Sequence, residues 1–192
     1  MNVSTFFFQR YNDLHNKFLP GLRESLSEED FRIPAVPGLQ PIIWLIWHIA
    51  RVEDMGLSRF IFDVPQMLDE EWLKKMNTPL THYGTSMTEE EVLTFAQTVD
   101  VYGILDYQQA VVARTRSLMP SLDQVSLDEL LSEEVVNQIV LEEGMASDKA
   151  HWVIPHYVGK TKGWMLCHMG LTHSFRHFGQ MTLAKKLLSY SK

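Results

Sequence analysis

The sequence predicts an all-α protein, an antiparallel four-helix bundle with long crossover connections, built as a single domain over residues 1–192. Three observations predict it. Residues 4–26, 41–62, 88–119 and 164–188 repeat apolar side chains at steps of three and four, the period of one helix face. The stretches between them are punctuated by Pro, Gly and short polar clusters. No run shows the alternation and turn signals of paired strands.

Each element has its own justification. In the first helix Phe7, Phe8, Tyr11, Leu14, His15, Phe18, Leu19 and Leu22 form the stripe, and Pro20 threatens its last turns. His15 is expected at the core edge, partly exposed. Residues 27–40 are a connector, with one short turn after Ser27 and then Pro34, Pro37 and Gly38. Pro41 suits the first position of the second helix, where its missing N–H costs nothing. That helix runs to about Phe62 with Trp44, Leu45, His48, Val52, Met55 and Phe60 inward; Arg51, Glu53 and Asp54 are expected in solvent or at an interface. Residues 63–88 read as loop with a short helix near Asp69–Met76, and His82 and Tyr83 as loop residues.

Thr88 and Glu91 form a capping box that opens the third helix, ~48 Å long, stopped by Pro120. Its inward face is traced by Val92, Phe95, Val99, Tyr102, Asp106, Gln109, Ala113 and Arg116, with Asp106 as the polar exception. Asp106 there would either pair with a buried tyrosine or Arg114, or orient a metal-bound histidine. Residues 122–162 cross over to the last helix. They carry a second capping box from Ser126 to Glu129, a break at Gly144, and the aromatic run His151–Tyr157, which reads as packed crossover or as a lid. In the last helix Leu166, Gly170, His173, His177, Met181, Ala184 and Leu188 share the inward stripe, and neighbouring faces are apolar as well.

Composition narrows the function classes. An apolar share of 45% and a charged share of 21% are ordinary for a globular chain. A net charge of −7 with no basic stripe argues against nucleic acid or an anionic membrane as partner. The one cysteine, Cys167, excludes an internal disulfide and a cysteine-based zinc site; its place in the helical pattern predicts a buried, inert thiol. With no signal peptide after Met1 and no apolar run of ~18 residues, the expected compartment is the cytoplasm.

The histidines carry the chemistry. His173 and His177 are four residues apart, one above the other on a single helix face. His48 lies mid-stripe between Trp44 and Val52. Burying an imidazole there without a partner costs a few kcal/mol, so each has either a hydrogen-bond partner or a metal. Bundle interiors are where such folds assemble metal sites from facing helices. Three neutral imidazoles suit zinc, nickel, iron or copper and leave coordination positions open. His15, Asp106, His156 and His168 are a second tier for acid–base assistance.

Two stretches carry a family resemblance: Pro41-Ile-Ile-Trp44-Leu-Ile-Trp-His48-Ile-Ala-Arg-Val-Glu53 and His168-Met-Gly-Leu-Thr-His173-Ser-Phe-Arg-His177-Phe-Gly179-Gln180. Together, at this separation, they resemble the DinB/YfiT-like metalloenzyme family, in helix order over nearly the whole chain. The resemblance implies a four-helix bundle with a three-histidine divalent-metal site, whose ligands by motif position are His48, His173 and His177. It also implies a homodimer, and chemistry on thiol adducts with a low-molecular-weight thiol. Phe178 stands where the family often has Arg, and the 120–162 connection carries no family motif. His168 is read as a rim residue, Gly179 as a close helix–helix contact, and Gln180 as a hydrogen-bonding neighbour of the metal or a backbone cap.

The functional expectation is a divalent-metal-dependent enzyme, with zinc or nickel ahead of iron. It would activate a water or thiol toward a small-molecule substrate, as an S-transferase or a hydrolase. The alternative is a non-catalytic metal- or ligand-binding stress-response bundle. A third reading, an interaction bundle with satisfied core histidines, has no metal at all.

Overall fold

The computed structural model describes residues 3–190. Helix α1 spans residues 3–23, α2 Glu28–Arg32, α3 residues 42–61, α4 Glu70–Met76, α5 Glu89–Thr98 and α6 Val101–Leu118. After a 3₁₀ turn at Met119–Gln124 come α7 (residues 133–142), a second 3₁₀ turn at Asp148–Val153, α8 (Ile154–Tyr157) and α9 (residues 162–190). Among the described residues there is no strand, only an isolated bridge between Leu130 and Thr161.

The four long helices α1, α3, α6 and α9 form the bundle. Ser4 meets Asp123, Asn12 meets Arg116 and Arg23 meets Gln108, so α1 and α6 run antiparallel. His48 faces His173 and His177 while Gly56 packs on Met169, so α3 and α9 run antiparallel. Phe7 packs on Gly170 and Lys185 reaches the Gly21 carbonyl, which makes α1 and α9 parallel. α3 and α6 are also parallel, since Arg51 meets Tyr107 and Glu53 meets Thr115. The order is therefore up, down, down, up. Helices α3 and α6 are parallel neighbours, which a tight turn cannot join, so the connection at 62–100 is long; the connection at 119–161 then carries the chain across to α9.

Three long helices contain a π-turn: Leu14–Phe18 within α1, Gly56–Ile61 at the end of α3 and His168–Thr172 within α9. In α1, the Leu19 N–H reaches back to the Leu14 carbonyl, and Pro20 has no N–H to offer the turn before it. The turns in α3 and α9 touch: a Cβ on Gly56 would lie 2.7 Å from Met169 Cγ. Gly56 and Gly170 therefore permit the close approaches beside the histidines. Gly179, expected to do so, is exposed with nothing near its missing Cβ.

The predicted third helix is two helices. Thr88 and Glu91 cap α5 as expected. The chain then extends at Val99 and Asp100, and Asp100 restarts it by accepting from the Gly103 N–H at 2.6 Å. The break resets the helical phase. Val101, Ile104, Tyr107, Gln108, Val111, Val112 and Thr115 face the core, while Tyr102, Asp106, Gln109 and Ala113 face solvent. Asp106 pairs with Lys75 across the surface and takes no part in the core. Ser126 likewise opens no helix; Ser132 does, accepting from the Val135 N–H. The 151–157 run folds as a 3₁₀ turn and the short α8, tied down where the Leu131 N–H meets the Lys160 carbonyl at 2.9 Å.

Arg51, Glu53 and Asp54 are wholly buried, against the expectation of a solvated face. Asp54 accepts from Arg51, the Tyr107 hydroxyl and the Met67 and Leu68 N–H groups. Arg51 donates further to the Tyr107 oxygen, Gln66 and the Thr81 carbonyl. Glu53 accepts from the Tyr11 and Thr115 hydroxyls, and buried His15 lies beside it. All four faces of α3 are covered, so its charges are compensated internally. Cys167 is exposed on the outer side of α9, not buried.

Candidate metal centre

His48 comes from the middle of α3 and is 4% exposed. His173 opens the regular part of α9 directly after its π-turn, and His177 follows one turn later. Their ring nitrogens converge. His48 Nε2 is 3.1 Å from His173 Nε2, which is 3.2 Å from His177 Nε2. All three offer a ligand atom within 4.8 Å of one another.

The far nitrogens fix which atom carries the proton. His48 Nδ1–H donates to the Tyr83 carbonyl. His177 Nδ1–H donates to Gln180 Oε1 at 2.5 Å. An oxygen of this kind only accepts, so both rings present a lone pair at Nε2. Trp44 stacks on the His48 ring at 4.7 Å and fixes its plane. Burial pushes the His48 imidazole down to about 3, and it is the first cause of the lowered values at His173 and His177 as well. All three rings are therefore neutral near pH 7.

This arrangement fits a divalent cation. Lone pairs from His48 and His177 point at His173 Nε2, and an ion between them could take all three nitrogens as ligands. Two nitrogens bound tetrahedrally at roughly 2.0–2.1 Å stand roughly 3.3 Å apart, close to the two spacings here. His173 Nδ1 is buried with no partner, the one orientation the protein leaves to packing.

The second-tier residues divide. His168 stacks on Trp164 at 4.6 Å and stands 5.8 Å from His173, ring centre to ring centre, at the rim as expected. His156 is exposed, 6.2 Å beyond His168. His15 belongs to the Glu53 network and Asp106 to the surface. Gln180 takes the first of its two expected roles. The sequence gives no sign of the Tyr83 carbonyl, because any residue in that loop could have supplied one.

Fold and site together define an all-helical protein with a three-imidazole cluster suited to a metal ion. The chain matches the DinB superfamily model over residues 16–181, and it belongs to that superfamily. A crystal structure of a conserved protein from Enterococcus faecalis shares the fold, with a TM-score of 0.67 at 20% identity over 97% of each chain. No curated protein matches the chain.

Proposed function

We propose that this single-domain protein is a divalent-metal-dependent enzyme, with His48, His173 and His177 as the ligands and zinc or nickel as the ion. The observation that supports it is the convergence of three neutral Nε2 atoms from two helices. A bound ion would supply Lewis acidity and lower the pKa of a thiol or water on it. The chain's own residues do the rest. Burial keeps the rings unprotonated, the Tyr83 carbonyl and Gln180 hold the Nδ1 protons away from the centre, and Trp44 blocks one side. His168 at the rim is placed to orient a substrate. The reaction class is transfer of a low-molecular-weight thiol or hydrolysis of a small molecule, in a cytoplasmic homodimer.

Purified without a histidine tag, the protein should hold about one divalent ion per chain, and His173→Ala should lose it. Substoichiometric metal that is unchanged in His173→Ala overturns the site. With the metal restored, a metal-dependent rate of thiol conjugation or hydrolysis supports the enzyme. Stoichiometric metal with no such rate leaves the binding bundle.

A further inference from the structure

A second site lies between α1 and α6, apart from the histidine cluster. A pocket of about 310 Å³ is lined by His15, Leu19, Pro20, Arg23, Gln108 and Arg116, among others. Its size suits a small molecule, at the lower end of the roughly 300–1,000 Å³ of ordinary ligand pockets.

Its charge is not cancelled by a neighbouring carboxylate. Arg10, Arg32, Arg51 and Arg59 each pair with a carboxylate. Arg23 and Arg116 form no ion pair among the described residues. Arg23 Nη2 donates to Gln108 Oε1, and Arg116 donates to the side-chain oxygens of Asn12 and Asn16. Amides satisfy donors without cancelling charge. The carboxylate that acts on Arg23, Asp106, is itself paired with Lys75 at 2.8 Å. Glu53, behind His15, is occupied by Tyr11 and Thr115. No Asp or Glu lines the pocket, although the chain as a whole carries −7.

Arg23 Nε is buried with no partner. The Nε–H edge of a guanidinium is half of the fork that carboxylate and phosphate oxygens accept from. Leu19, Pro20 and Val112 supply an apolar wall to the same pocket.

We propose that this pocket binds a small organic anion, a carboxylate or phosphate group on a short apolar body, with Arg23 and Arg116 as the charged contacts. Its ligand is independent of the metal centre, since no residue is shared. The same Gln108 that holds Arg23 also contacts His15 Nδ1 at 3.3 Å, so the floor of the pocket is already ordered.

The test is calorimetric titration of the full chain with benzoate, phenyl phosphate and inorganic phosphate at low salt. Saturable binding of benzoate or phenyl phosphate that weakens as salt is raised is the expected result. Arg23→Gln should weaken it about tenfold or more. Gln109→Trp, at an exposed lining residue, should block it while metal content and thermal unfolding stay as in the wild type. Binding of inorganic phosphate alone as tightly as phenyl phosphate would assign phosphate as the recognised group and remove the apolar wall from the account. The proposal is overturned if none of the three probes saturates at millimolar concentration, or if Gln109→Trp binds them as the wild type does. The second variant keeps the result interpretable should Arg23→Gln fail to fold.

Discussion

Helix α3 carries two buried polar clusters within two turns of each other, and they are built on opposite logic. Around Asp54 nearly every donor has an acceptor. Arg51, Tyr107 and two backbone N–H groups converge on one carboxylate, and a positive charge stands beside a negative one. Around His48 three ring nitrogens converge, with lone pairs from His48 and His177 and only the one ring proton of His173 to set between them. The first cluster balances its charge within the chain and leaves only Arg51 Nε without a partner, so it joins α3 to α6 and to the 66–81 loop. The second lacks a positive centre. A buried polar group that finds its partners within the chain is architecture; a cluster with more acceptors than donors asks for a ligand.

The largest test falls on the charge-balanced cluster. Arg51→Met leaves Asp54 buried beside an uncharged neighbour, and removing one member of a buried pair costs roughly 3–5 kcal/mol. Urea unfolding should show a loss of that order. A loss below about 1 kcal/mol would mean that the cluster does not hold the helices together. His173→Ala should behave the other way: metal lost outright, apoprotein stability changed by about 1 kcal/mol.

Acid separates the clusters next. His48 is lowered to about 3 by burial, and His173 and His177 are lowered for the same first reason. The folded apoprotein therefore binds fewer protons than the unfolded chain, whose histidines titrate near 6.5. Their contribution is fully present above about 6.5 and is lost as pH falls from there toward about 3. Melting of the apoprotein across that window should show the decline, and His173→Ala should flatten it. Metal release, expected from free imidazoles near ~6.5, should be displaced to lower pH for the same reason. Release already complete at that value would contradict the buried, neutral rings.

Two smaller effects sharpen the contrast. Gln180→Ala frees the far side of His177, and losing such an outer hydrogen bond should weaken metal binding roughly 10- to 100-fold. A competition titration with a chromophoric chelator would read it; unchanged affinity would leave Gln180 a bystander. Asp106→Ala should change stability by no more than ~0.5 kcal/mol and metal binding not at all, as an exposed pair with Lys75 allows. A metal defect there would restore Asp106 to the site.

What was legible in the sequence was periodic or local. The stripes of α1, α3 and α9, the short turn after Ser27, the cap at Thr88, and the inward places of His48, His173 and His177 follow from the helical repeat and from side chains bonding their own backbone. What misled the reading was an interruption of that repeat. Two extended residues at Val99 and Asp100 rotated everything after them, turning Asp106 outward and Tyr107 inward.

The sequence by itself determined an all-helical chain and nominated three imidazoles for its interior, because a helix fixes the direction of each side chain relative to its near neighbours. Only the tertiary structure decided that the three rings meet, that the Tyr83 carbonyl sets one of their protons, and that Arg51, Glu53 and Asp54 are interior. Those outcomes depend on residues far apart in the chain. A charged stripe reads as solvated until its distant partners are in place.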